Sequence, residues 1–209
     1  MNDKTQALLY LAAAGAVFLL ASKLFANPRT KGLSRVQRIA CLGDSITAEG
    51  VYCGYLAGMI GVQAKAFGYP SQGVNVIATH VDEALAWNPD VVVVLAGVND
   101  LHSSTGAETA IEGLKNIYQK IRASGTYVVA VEITPWHGYP SAEGYESNTY
   151  KVNTWIRREA NVDAVVKTGS MGDSAGKLKQ EYDNGGGLHP NREGQAALAV
   201  LIADQAFGR

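Results

Sequence analysis

Six consecutive apolar residues, Val91-Val92-Val93-Val94-Leu95-Ala96, limit what this chain can fold into more than any other stretch. A strand with one face in water alternates polar and apolar side chains, so a strand that is apolar at every position must be covered on both faces. That is the situation of a central strand in a parallel sheet. Asn88-Pro89-Asp90 ends whatever precedes the run, and Gly97 ends the run itself. Shorter strand-like runs at Ile39 to Leu42, 63–67, 127–131 and 164–167 alternate with helical spacing at 52–62, 74–87, 109–123, 148–159 and 191–206. Alternating strands and helices with right-handed crossovers predict an α/β protein, a three-layer α/β/α sandwich around a parallel sheet.

At 209 residues, 47% hydrophobic and 18% charged, the chain suits one globular domain with some length left at its amino end. The net charge of -1 conceals an asymmetry. Of the 18 basic residues six precede residue 39, against Asp3 alone of the 19 acidic ones, so 39–209 carries 12 basic and 18 acidic residues. An acidic body with a net of -6 speaks against nucleic acid as a partner. Cys41 falls in the first strand and Cys53 in the first helix, which reads as two small buried hydrophobes. The four histidines are scattered, and no Cys/His cluster has metal-ligand spacing.

Residues 7–22 carry no charge, and apolar character resumes after Lys23 through Ala26. Twenty helical residues cover about 30 Å, so residues 7–26 are expected to form an amino-terminal transmembrane anchor, with Lys23 snorkelling. A cleaved signal peptide ending at Ala26 is the competing expectation, but Leu24 is too large for the small-x-small cleavage pattern. Residues 27–35, with Pro28 and Gly32, read as a linker to a domain at 36–209. Five of the six flanking basic residues follow residue 22, which by the positive-inside rule places the domain in the cytoplasm. An envelope substrate calls for the opposite side, and both orientations stay open.

Three short motifs fall where such a sheet keeps its ligands, at the carboxyl ends of strands. Gly43-Asp44-Ser45 ends the first strand and presents a hydroxyl. Gly97-Val98-Asn99-Asp100 ends the valine strand. His189-Pro190 precedes the last helix, which Asn191 is placed to cap. A lone Asn-Asp is usually a turn and a lone loop histidine usually structural; three such signals at one sheet edge favour a shared site.

In these motifs, in their order and in their spacing over about residues 36–209, the sequence resembles the GDSL-type SGNH hydrolases, a family of serine esterases and lipases. The resemblance implies a flavodoxin-like sheet, Ser45 as nucleophile, His189 as general base, and neither metal nor organic cofactor. It further implies an oxyanion hole made of the Ser45 N–H, a backbone N–H from the 68–73 turn, and the Asn99 side-chain amide. The family's second block reads Gly-x-x-Gly; here the pattern from Gly68 meets Ser71, with Gly73 two positions on. Gly73 is chosen as the donor because a backbone that approaches substrate closely favours a residue without Cβ. The family's triad acid, three residues before the histidine, falls on Gly186. Asp183, six residues before His189, is the nearest carboxylate on the amino-terminal side and the candidate replacement; otherwise the centre is a Ser-His dyad.

The expected activity is therefore hydrolysis of an acyl ester by a membrane-anchored serine esterase, with O-acetyl or short acyl groups on an envelope carbohydrate ranked first. A lysophospholipid or thioester ranks second. Two other classes compete: an SGNH-fold module that binds an acylated or glycan ligand without turnover, and a structural membrane protein with a soluble head. Trp136, Tyr139 and Tyr145, after the fourth strand, are candidates to line an acyl pocket or stack on a sugar, or to pack an ordinary loop.

Overall fold

The computed structural model describes residues 36–209. The expected anchor at 7–26 and linker at 27–35 lie outside the described residues. Among those described, no helix is long and apolar enough to cross a membrane. The chain runs β1 (Arg38–Gly43), α1 (Ser45–Ala48), α2 (Val51–Ile60), β2 (Gln63–Gly68), α3 (Val74–Thr79), α4 (Val81–Ala86) and β3 (Val91–Leu95). It continues through α5 (Gly106–Ala123), β4 (Tyr127–Val131), α6 (Glu146–Arg158), β5 (Ala164–Val166) and α7 (Arg192–Phe207). The sheet is parallel throughout, in the order β2-β1-β3-β4-β5. This is the flavodoxin-like order, and its topological switch lies between β1 and β3.

The valine strand is covered as its composition requires. Val92 and Val94 join Ala40, Leu42, Val128 and Ala130 in a core shared with α3 to α6. Their neighbours Val91 and Val93 point to the opposite face, where α2 and α7 pack together. All four valines are fully buried, each such side chain contributing about 1.5–3 kcal/mol. On α5 the residues Ala107, Ala110, Leu114, Ile117 and Ile121 form one buried stripe, with Lys120 and Arg122 in the last turn where the helix dipole favours cations.

Two expectations are corrected. The helix expected over 74–87 is two helices, because His80 N bonds to Ile77 O three residues back and tightens the turn between them. The His80 ring stacks on Tyr69 at 3.8 Å, which holds the break. Cys41 and Cys53 are not free thiols but a disulfide joining β1 to α2. Cys41 lies on the β1 face that α2 covers, so both side chains are buried in the same layer and their Cα atoms lie 6.2 Å apart.

Strand register sets the site. Gly43 pairs with Gly68 on one side and with Leu95 on the other, so the loops leaving β1, β2 and β3 start level with one another. A side chain at Gly43 would overlap the Leu95 carbonyl and Thr47 Oγ1, and one at Gly68 the backbone of Ala48. Glycine lets these three chain segments close up at the sheet edge.

Candidate active site

β1 stops at Gly43, and Asp44 caps the single turn of α1 by accepting from Ile46 N at 3.1 Å. Asp44 is buried, and that burial pushes its pKa up to about 7; nearby Asp100 adds to the rise, while the Ile46 amide opposes it. The turn is tied from the far side as well. Thr47 Oγ1 and Tyr52 OH share a hydrogen bond of 3.0 Å. Gln195, buried on α7, accepts from Tyr52 N and donates to Ile46 O and Glu49 Oε2. Ser45, first residue of α1, is thereby left half-exposed on a turn whose other members are fixed.

His189 arrives from the other end of the chain and meets it. Its Nε2 lies 2.8 Å from Ser45 Oγ, so with the ring proton on Nδ1 the serine hydroxyl donates to Nε2. The loop holding it is tied by backbone and side chain: Asp183 bridges to Pro190, Asn184 N donates to His189 O, and Asn191 Nδ2 donates to the Glu181 and Asp183 carbonyls. Asn191 also caps α7, accepting from Gly194 N at 2.9 Å.

Asn99 follows β3 in a short 3-10 turn. Its Nδ2 donates to Gln72 O at 3.0 Å, which fixes the amide's orientation and leaves its second N–H available. Gln72 precedes Gly73, so the same bond draws the second-block loop to the third. Asp100 completes the contact. It accepts from Val74 N at 3.0 Å, and a Cβ on Gly73 would come within 2.5 Å of its Oδ1. Among the described residues the amides of Ser45, Ser71 and Gly73 donate no hydrogen bond. Ser71, where the resembled family carries glycine, is exposed and has φ of 60°, a backbone conformation that glycine adopts without strain.

Ser45 therefore meets His189 and Asn99 meets the 71–73 loop, whereas the Asp183 carboxylate is turned to other partners. Its Oδ1 accepts from Gly185 N at 3.1 Å and Gly187 N at 2.9 Å, and no hydrogen bond links it to His189 among the described residues. The glycine run lets the chain fold back, but it folds onto the Asp183 carboxylate with its own amides. Gly186 is exposed and offers no side chain. For Trp136 the structure decides between the two alternatives in favour of packing. Trp136 is buried, with Nε1 donating to Thr149 Oγ1 at 2.7 Å, and is a core residue; Tyr139 is exposed and Tyr145 half-buried. Gln195 and Asp100 were not anticipated. A glutamine inside the apolar run of α7 was the available signal for the first, and adjacency to Asn99 for the second. Among the described residues no group of three or more His, Cys, Asp or Glu is placed to hold a metal.

Comparison with known proteins agrees with this fold. The profile of the GDSL-like lipase/acylhydrolase family matches residues 41–197. Among curated proteins no sequence matches significantly. Among solved structures, a member of the lipolytic protein G-D-S-L family from Veillonella parvula is similar with a TM-score of 0.68 at 18% identity, over 83% of this chain and 99% of that one. A GDSL-like lipase from Bacteroides thetaiotaomicron has a TM-score of 0.65 at 18% identity, over 90% and 95% of the two chains. An acetyl xylan esterase has a TM-score of 0.63 at 18% identity, over 79% and 97%. At such identity the structural likeness speaks for the fold, and the family match covers the three motifs from Gly43 to Pro190. The chain belongs to the GDSL-like lipase/acylhydrolase family and is an ester hydrolase.

Proposed function

We propose that Ser45 and His189 are the reacting pair of this hydrolase, and that its substrate is a short acyl ester on a polar carrier outside the cytoplasm. The observation that carries the reading is the 2.8 Å contact between Ser45 Oγ and His189 Nε2. Ser45 Oγ attacks the ester carbonyl as its proton passes to Nε2. The tetrahedral intermediate collapses, the C–O bond breaks, and the leaving alkoxide takes that proton. Water then repeats the sequence on the acyl-serine, returning the acid product and free Ser45. The oxyanion is held by the N–H groups of Ser45 and Gly73 and by the free N–H of Asn99.

The composition of the loops that carry the oxyanion donor and His189 favours a small acyl group. They are polar and glycine-rich, with Ser71 and Gln72 in one and Asn184, Gly185 and Gly186 in the other, and a long acyl chain gains its affinity from apolar surface at about 25 cal/mol per Å². An acetyl ester on a carbohydrate fits, and one structural neighbour is an acetyl xylan esterase. The disulfide supports placing the domain on the oxidising side of a membrane, since such bonds are rare in the cytosol. Residues 7–26 would then serve as the anchor. A panel of p-nitrophenyl esters of increasing chain length is the test. Fastest turnover of the acetate, lost in Ser45→Ala, supports the reading; preference for long chains would move it to a lysophospholipid or thioester. Absence of Ser45-dependent turnover would favour the binding module, for which the lack of any partner on His189 Nδ1 among the described residues speaks.

A further inference from the structure

The carboxylate of Asp183, six residues before His189, is engaged by the loop backbone. Asp183 sits where the loop carrying His189 begins, and its carboxylate accepts from Gly185 N and, through both oxygens, from Gly187 N at 2.9 and 3.2 Å. Its own carbonyl takes the Asn191 side chain at 3.1 Å, and it is bridged to Pro190, the residue after His189. Next to it, Asn184 accepts from Gly186 N and donates its backbone N–H to His189 O. The second anchor is Gly187, buried with φ of 75°. A Cβ there would press into the backbone of Gly138 and lie 2.6 Å from Tyr139 N. The three glycines alone would be the most mobile segment of the site, because glycine loses the most backbone freedom on ordering. Two polar side chains and one close backbone contact hold them.

We infer that Asp183 is a positioning residue for His189, setting the imidazole against Ser45 through the backbone of residues 185–190 rather than through a bond to the ring. The inference rests on the reading of Ser45 and His189 as the reacting pair. It has a specific chemical consequence. What the loop needs from residue 183 is an oxygen acceptor, not a charge, so an asparagine whose Oδ1 faces Gly187 N–H can replace it. An acid acting on the ring cannot be replaced so, and in the serine protease template aspartate to asparagine costs about 10⁴ in kcat.

The experiment compares Asp183→Asn with Asp183→Ala in the full chain. It reads p-nitrophenyl acetate kinetics, the pH profile of kcat/KM, and amide hydrogen exchange of peptides spanning 184–189. Asp183→Asn should keep most of kcat, leave the acidic limb of the profile where it is in the unaltered protein, and exchange at the unaltered rate. Asp183→Ala should lose about 10²-fold in kcat, the cost of a misplaced catalytic group, with KM little changed and exchange at 185–187 faster. Equal large losses in both variants, or a shifted acidic limb in Asp183→Asn, would overturn the inference in favour of a carboxylate acting on the ring. Full activity in a folded Asp183→Ala would also overturn it. If the alanine variant does not fold, Asp183→Asn decides alone, near-full kcat supporting the inference and a large loss overturning it. Should the unaltered protein lack Ser45-dependent turnover, the esterase reading fails by itself. Hydrogen exchange then judges the clamp: acceleration in Ala but not in Asn supports it, and no difference overturns it.

Discussion

The two halves of the site are built by opposite means. Ser45 stands on a turn enclosed by a covalent bond, since the Cys41–Cys53 disulfide brackets it 12 residues apart, and the turn is packed against β1, Tyr52 and Gln195. His189 hangs at the end of a loop with three consecutive glycines, of which Gly185 and Gly186 are exposed, ordered by polar contacts to Asp183 and Asn184. A nucleophile must be fixed relative to the oxyanion donors on its own sheet edge, and apolar burial with a cross-link does this well. A base must cross from the far end of the chain to reach it. Its placement depends on hydrogen bonds that water can replace, so the histidine side is the one more easily lost.

The comparison breaks most visibly at the oxyanion hole. Asn99→Ala should lower kcat by about 10²–10³ with little change in KM, since the donor acts on charge present only in the transition state. A loss confined to KM would show that Asn99 merely joins the two loops through Gln72.

Next in size is the effect of supplying the absent acid. Gly186 does not have a left-handed φ, and a Cβ there meets only the Asn184 Oδ1, at 3.2 Å. Gly186→Asp is therefore tolerated by the backbone and should raise kcat about tenfold, a part of what a full triad aspartate is worth. Steady-state kinetics showing no gain in the folded variant would mean that residue 186 does not address the ring.

Smaller effects are expected on stability, and they belong to the serine side. Replacing both Cys41 and Cys53 by alanine should cost about 2–3 kcal/mol, seen as a lowered Tm, the closed loop being short. Thermal unfolding at an unchanged Tm would remove the disulfide from this account. Asp44 provides a pH signature on the same turn. Its pKa is raised from 3.8 to about 7, so its contribution to stability is full below 3.8 and is lost as pH rises through about 7. Calorimetry should show Tm falling over that window, and falling less in Asp44→Asn, which keeps an acceptor for the Ile46 amide. An identical decline in both proteins would assign it to other groups.

The alternation of strands and helices was legible because it rests on patterns with a fixed period, while the flavodoxin-like sheet and the pairing of Ser45 with His189 followed from the family resemblance of motifs at strand ends. Val91 to Ala96 could be buried on both faces in few ways, and Asn191 announced the start of α7. What was not legible depends on three-dimensional neighbours. Cys41 and Cys53 read as two ordinary small residues until β1 and α2 were laid one over the other. The break at His80 comes from a ring stacked on Tyr69, 11 positions away in sequence. Asp183 stayed open for a related reason. Glycines after it permit many loop geometries, and the sequence does not say whether a carboxylate will turn to the imidazole or to the loop's own amides.

The proposed reaction requires that Ser45 be made nucleophilic by His189. A fluorophosphonate probe, with the labelled residue located by peptide mass spectrometry, tests it most directly. A single adduct on Ser45 is expected, absent in Ser45→Ala and formed far more slowly in His189→Ala. Labelling that proceeds at the unaltered rate in both variants would contradict it.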